Sequence, residues 1–368
     1  MSKTLPFRWL ALGAASALLL GACVVQDDED GAGSEIVVDE GMDPAAGDIA
    51  VELSVDKVSV SLAESVTVTV KLTNTTKRAI HLPAWYAPGE DLEEDLFLVT
   101  RGGQPVEFTG PHYKRAALSD EDYVVLGPGK TVTRTATLSG FYDLTQTGTY
   151  TVQYAADMLT PVTKQAVSLD SNEVSLWIEG RANAPSPQFL SAPGPQNFGS
   201  LGFNKCSADQ QTTVTQALGA ASTMANGAVA YLGGSPSATP RYTTWFGAFS
   251  TNGWSTAKSH YAAIKDAVDS KSLNFDCGCK KKYYAYVYPN QPYNVYLCSV
   301  FWSAPLSGTD SKGGTIIHEL SHFDVIAGTD DWVYGQSGAK SLALSDPTKA
   351  LNNADNHEYF AENTPALQ

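Results

Sequence analysis

The chain has 368 residues, a formal net charge of −15, 43% hydrophobic residues, five cysteines and six histidines. That length argues for two or three domains, and the apolar share is enough for each to bury a core, which excludes a wholly disordered chain. No basic stretch is interleaved with aromatics, so nucleic-acid binding has no support.

Residues 1–23 read as an export signal: Lys3 and Arg8 give a positive start and Trp9 to Leu20 an apolar run too short for a comfortable membrane span. The run ends Leu20-Gly21-Ala22-Cys23, which resembles a bacterial lipobox. Cys23 would then be the lipidated first residue of the mature chain, and the outer membrane its expected address. Residues 24–48 carry Asp27-Asp28-Glu29-Asp30, with no Lys or Arg between Arg8 and Lys57. Self-repulsion and a lack of apolar surface make that stretch an extended acidic tether.

Strand patterning begins at residue 49. Ile49–Val55, Val66–Leu72, Leu96–Val99, Val132–Leu138, Tyr150–Tyr154 and Val174–Ile178 largely alternate apolar with polar and are rich in Val and Thr. Turn residues such as Gly127-Pro128-Gly129 punctuate them. About seven short strands over 49–180 predict an immunoglobulin-like β-sandwich. His81 and His112 stand isolated there and read as surface or packing residues. Two roles are open for this segment: a propeptide that covers an active site, or a stalk that presents one. Residues 181–204, with Pro185, Pro187, Pro193 and Pro195, form a Pro/Gly-rich linker, the easiest place to nick.

Residues 205–368 have the size of one domain, mainly helical with a small sheet. Helices are expected over Ser207–Tyr231, around Ser255–Val268, at Gly314–Ile326, at Gln336–Leu344 and at Asn353–Glu362, with strands at Tyr283–Val287 and Val295–Val300. The chemistry concentrates in His318-Glu319-Leu320-Ser321-His322. Two histidines four apart share a helix face, can grip one Zn²⁺, and leave Glu319 beside the metal's open position as general base. Val325 and Gly328 stand where a metzincin would have Gly and His, so that pattern fails. Gly328 reads as a helix stop after which the chain doubles back, so that Asp331 offers the third ligand oxygen. Tyr334 is placed to donate a hydrogen bond to the oxyanion of an attacked carbonyl.

His318-Glu319-x-x-His322 followed by Gly328-Thr329-x-Asp331-x-x-Tyr334-Gly335 resembles the aspzincin, or deuterolysin, zinc metallopeptidases, a zincin-like fold. The resemblance implies Asp331, not Asp330, as ligand. Pro240-Arg241-Tyr242-Thr243-Thr244-Trp245, Tyr286-Val287-Tyr288-Pro289-Asn290 and Asn353-Ala354-Asp355-Asn356-His357-Glu358 resemble the peptidyl-Lys branch in particular. There Asp355 and Glu358 would line the S1′ pocket and receive a substrate lysine, implying cleavage on its amino side. The other reading of Asp355 is that it orients a zinc-bound histidine. Cys206, Cys277, Cys279 and Cys298 allow three pairings in an oxidising compartment, and the resemblance selects Cys206–Cys277 and Cys279–Cys298.

The expectation is therefore an exported, monomeric zinc endopeptidase acting on lysine-containing proteins, with self-cleavage before Lys205 as one route to release. The alternatives are a broader deuterolysin-like enzyme, a gluzincin-like one using Glu358 as third ligand, or a non-catalytic surface-binding lipoprotein.

Overall fold

A computed structural model describes residues 40–89, 91–182, 190–192 and 199–368, all within one compact unit, Glu35–Gln368. The expected export signal, Cys23, residues 24–39 of the acidic tether and most of the linker lie outside the described residues. Residues 40–48, expected in the tether, pack on the N-terminal part instead, where buried Asp43 accepts from the Thr163 N–H at 2.7 Å. Among the described residues no helix is long and apolar enough to cross a membrane.

The N-terminal part is built from β1 (Ile49–Ser54), β2 (Ser59–Val60), β3 (Thr67–Asn74), β4 (Ile80–Pro83), β5 (Phe97–Arg101), β6 (Gln104–Pro105), β7 (His112–Arg115), β8 (Tyr123–Leu126), β9 (Thr131–Thr137), β10 (Gly148–Leu159) and β11 (Ala166–Ile178). A three-stranded sheet runs in the order β1-β3-β9 and a five-stranded one in the order β2-β11-β10-β5-β6; β4 and β8 pair separately. Strand alternation makes the core: Tyr150, Val152, Tyr154, Ala156 and Met158 of β10 all point inward. They pack with Val68, Val70 and Leu72 of β3 into one apolar cluster. The strand continues past Tyr154 to Leu159, paired with β11 on both sides of a register shift between Gln153 and Ala155, and Ala156 and Met158 keep the period of two. The Tyr150 hydroxyl donates to the carbonyl of Gln146, closing the turn that feeds β10.

The C-terminal part comprises β12 (Leu190–Ala192), β13 (Leu201–Asn204), α1 (Ala208–Leu232), α2 (Pro240–Phe246), α3 (Thr251–Ser270), β14 (Leu273–Asp276), β15 (Tyr283–Val287), β16 (Asn294–Leu297), α4 (Ser299–Ser303), α5 (Lys312–His322), α6 (Gly335–Ser345), α7 (Pro347–Ala350) and α8 (Ala354–Glu362). Its sheet runs β12-β13-β14-β16-β15-β7. Both ends of that order depart from the sequence reading. Leu201–Asn204, expected in the linker, pair parallel with β14 and belong to this sheet. At the other edge β7, from the N-terminal part, adds antiparallel to β15, with Tyr286 opposite Tyr113 and Val287 opposite His112.

The disulfides are Cys206–Cys277 and Cys279–Cys298, pinning the start of α1 and the β15–β16 hairpin to β14. Ala217, Ala221, Ala225 and Ala228 form the buried face of α1, and small side chains let α5 come close. A Cβ on Gly313 of α5 would stand 2.9 Å from the Ala220 Cβ. Helix α5 is buried along its whole length, and so is α8 despite Asp355, Asn356, His357 and Glu358. Polar groups buried on that scale demand partners, and α8 has them. Asn356 Nδ2 donates to the Ala339 carbonyl at 2.9 Å, His357 shares a 2.9 Å bond with His260, and Arg241 Nε donates to the Phe360 carbonyl at 3.0 Å. His260 and His357 are thus structural, as expected.

Candidate active site

Helix α5 starts at an N-cap, Ser311, whose hydroxyl oxygen accepts from the Gly314 N–H at 2.9 Å. It stops at His322, four residues short of the expected end, because Phe323 turns extended (φ −60°, ψ 130°). Gly328, with φ 56°, then lets the chain fold back under the helix rather than ending it. The return is held by Thr329: its N–H donates to the Ser321 carbonyl at 3.1 Å and its own carbonyl accepts from His322 Nδ1 at 2.7 Å. A carbonyl can only accept, so Nδ1 carries the proton and His322 Nε2 is left as a free donor of electrons. The carboxylate of Asp355, 2.9 Å from His318 Nδ1, favours the same tautomer there.

Asp330 and Asp331 part at this point. Asp330 bonds outward to the start of α8, accepting from Asn352 Nδ2 at 2.8 Å. Asp331 turns inward, with Oδ1 3.2 Å from His318 Nε2 and Oδ2 3.4 Å from His322 Nε2. Ligand atoms sharing one tetrahedral cation at about 2.0–2.1 Å stand about 3.3 Å apart, so these three side chains fit Zn²⁺. Both Nε2 atoms, both Asp331 oxygens and both Glu319 oxygens are buried without a hydrogen-bond partner, which a metal and its water would relieve. Burial pushes the Glu319 carboxyl up to about 7, against the pull of His318 and His322. A group poised there can take and return a proton near neutral pH.

Glu358 lies on the far side of the His318 ring, 3.4 Å from Nδ1, and so cannot share a metal with Nε2. The gluzincin-like arrangement does not fit. Glu358 and Asp355 instead converge on an ammonium. Lys114 of β7, 1% exposed, puts Nζ 2.5 Å from Glu358 Oε2, 3.5 Å from Asp355 Oδ1 and 3.4 Å from Asp310 Oδ1. The rings of Tyr284 and Tyr359 lie 4.9 and 5.7 Å from Nζ. Burial alone would lower this lysine's pKa, but Asp355, Glu358 and Asp310 outweigh it and hold it charged. Asp355 also faces His318 Nδ1 at 2.9 Å and accepts from the Gly335 N–H at 2.6 Å.

The neighbours of Lys114 overturn another expectation. His112 is not isolated: its ring lies 5.0 Å from that of His322, and its nitrogen groups with His322 and Asp331 within 4.8 Å. Arg115 bonds to Glu94 and to the Tyr334 hydroxyl, and its guanidinium lies 4.3 Å over the Trp85 ring. Sequence reading missed these three because nothing local marks the tetrapeptide. It also missed Asn353, whose Oδ1 accepts from the N–H groups of Trp332 and Val333 at 2.8 and 3.2 Å and so fixes the loop carrying Asp331. Beside His322 and Asp331 lies a cavity of about 240 Å³, lined by His112, Glu94, Asp95, Asp330 and Asp331 among others.

The aspzincin family model, described as a lysine-specific metallo-endopeptidase, matches residues 231–362. An extracellular protease of Aeromonas hydrophila is 47% identical over 317 residues, covering 82% of this chain and 89% of that one. The chain belongs to the aspzincin family. A peptidyl-Lys metalloendopeptidase of Grifola frondosa is 36% identical over 322 residues, 84% of this aspzincin and 88% of its own length. One of Pleurotus ostreatus is 52% identical over 166 residues, 45% of this chain and 98% of its own. This aspzincin is thus a zinc metalloendopeptidase, and its two disulfides accord with export.

Proposed function

We propose that the enzyme hydrolyses peptide bonds on the amino side of lysine, with His318, His322 and Asp331 holding zinc. The observation that carries the specificity is the Lys114 ammonium seated between Glu358 and Asp355, next to the three donors. Zinc, when bound, supplies Lewis acidity to the scissile carbonyl and lowers the pKa of water. Glu319 takes the proton from the attacking water and returns it to the leaving amine. Tyr334 donates its O–H to the carbonyl oxygen as that oxygen gains charge. Asp355 and Glu358 fix the substrate ammonium by charge-assisted bonds, which places the bond before it over the metal. Digesting a denatured protein with the released enzyme, with and without a chelator, tests this. Cuts before lysine that vanish with chelator and return with zinc support it; cuts spread over other residues refute the specificity.

In the same reading residues 49–180 form an immunoglobulin-like sandwich that acts as a propeptide, with 205–368 the protease. The seating of Lys114 of β7 on Glu358 and Asp355, and the bond from Arg115 of β7 to the Tyr334 hydroxyl, support a covering role over a stalk. The Tyr150 hydroxyl bond resembles the tyrosine corner of such sandwiches. Release through the linker, cut ahead of β13 within 181–200, frees the protease as a monomer, while Cys23 anchors the precursor to the outer membrane. Self-cleavage before Lys205 is the harder route, because the Asn204 carbonyl accepts from the Cys277 N–H at 2.9 Å and β13 must first leave the sheet. Replacing Cys23→Ala should move the precursor from the detergent phase to the aqueous phase; unchanged partition would rule out the lipid.

A further inference from the structure

The strand that covers the cleft carries a problem for the enzyme it belongs to. Lys114 fills the pocket that receives the lysine of a substrate, so Tyr113–Lys114 stands where a bond is cut. Strand β7 also lies antiparallel on the edge strand β15, the pairing by which an extended peptide adds to a sheet. Burial alone does not protect a bond presented this way. Something must deny it water.

Residues two apart on a strand share a face, so the lysine that enters the pocket brings His112 over the donors beside it. A ring nitrogen of His112 groups with one of His322 and with a carboxylate oxygen of Asp331 within 4.8 Å, a span that small rotamer changes close. We propose that His112 is a fourth zinc ligand in the uncut chain, so that the N-terminal domain closes the metal centre by coordination. The inference rests on the reading of His318, His322 and Asp331 as zinc ligands and of residues 49–180 as a propeptide. Catalytic zinc keeps three protein ligands and one open position, whereas a site with four protein ligands is inert. An imidazole in the fourth place leaves no position for the water that must add to the Tyr113 carbonyl carbon. The C–N bond to Lys114 then cannot break, nor its nitrogen accept a proton. Lys114 seats the strand, Arg115 ties it to Tyr334 by donating to the hydroxyl oxygen, and His112 shuts the metal.

The test uses the full chain carrying Glu319→Gln, which keeps it uncut, loaded with zinc. X-ray absorption at the zinc edge counts imidazoles: three are expected in this parent and two after adding His112→Ala. Two in the parent overturns the assignment, and that count decides even if His112 variants do not fold. With Glu319 restored, His112→Ala is expected to split its own chain between Tyr113 and Lys114, giving a new N-terminus at Lys114. An uncut chain with an unchanged count also overturns it. Latency is read separately, by comparing the full chain with linker-cut protein on a lysine peptide. A full chain already at full rate sinks the propeptide reading; a low rate with two imidazoles sinks the role of His112 and leaves latency standing.

Discussion

At the scale of a residue, two adjacent aspartates take opposite places, one aimed at the paired imidazoles and one bracing the loop. Asp331 faces both Nε2 atoms while Asp330 bonds to the Asn352 amide, so Asp331→Ala should lose zinc under dialysis and Asp330→Ala should keep it. Metal analysis of the two proteins decides, and equal zinc content would refute the ligand set. Glu319 has no bond to lose, being buried with both oxygens unpartnered. Glu319→Gln in the released protease should lower kcat by roughly 10²–10⁴-fold, the usual worth of a positioned base, with zinc content intact. For the pocket, Asp355→Asn with Glu358→Gln should flatten the preference for lysine. Because Asp355 also faces His318, the pair should weaken zinc binding as well, whereas Glu358→Gln alone should leave it nearly unchanged. Cleavage-site profiles and zinc titration separate those effects.

At the scale of the element, helices α5 and α8 must meet closely for the donors and the pocket to share one wall. Gly314 makes that approach possible: a Cβ there would stand 2.1 Å from Glu362 Oε1 and 2.9 Å from Glu358 Oε1. Gly314→Ala should therefore cost about 1–3 kcal/mol and raise KM for lysine peptides, because α8 must shift. Thermal melting with peptide kinetics checks both, and an unchanged KM would mean that the pocket tolerates the shift. The zinc helix was legible because its two histidines and the glutamate carry their meaning in local spacing. The end of that helix was not, since Phe323 leaves the helix for tertiary reasons before any Gly or Pro appears. Helix α8 was legible only as a pattern resembling known enzymes. By composition Asp355, Asn356, His357 and Glu358 belong on a surface, and they are buried because Trp245, Ala339, His260 and Lys114, distant in sequence, receive them. His112 failed for the same reason in reverse. A half-buried histidine in a short charged strand has no local mark, and its partners lie some two hundred residues downstream.

Over the whole molecule, the N-terminal and C-terminal cores are separate apolar clusters. Charged contacts join the parts at the cleft, together with Leu159 packed on Val333 and Leu342 and the Tyr113 ring against Tyr283 and Tyr286. Besides Lys114 on Glu358 and Asp355, Lys281 pairs with Glu93 at 2.5 Å and Lys282 with Glu121 at 2.5 Å. The strand β7 pairs with β15 and not with the linker, so cutting the linker leaves that pairing in place. A nick in residues 181–200 should therefore leave the enzyme latent at first, as a complex of two pieces. Activity should then appear with the rate at which the N-terminal piece leaves. The exposed Lys282–Glu121 pair is screened by salt, but the buried Lys114 contacts are screened far less, so high salt alone should speed release only modestly. Dilution prevents rebinding and should carry activation to completion, and a second cut within the released piece would make it irreversible. Size-exclusion chromatography of nicked protein at high concentration should show both pieces eluting together, followed on dilution by a lag in peptide hydrolysis. Full activity at the moment of nicking, with the pieces eluting apart, would mean that the linker and not the strand keeps the enzyme shut.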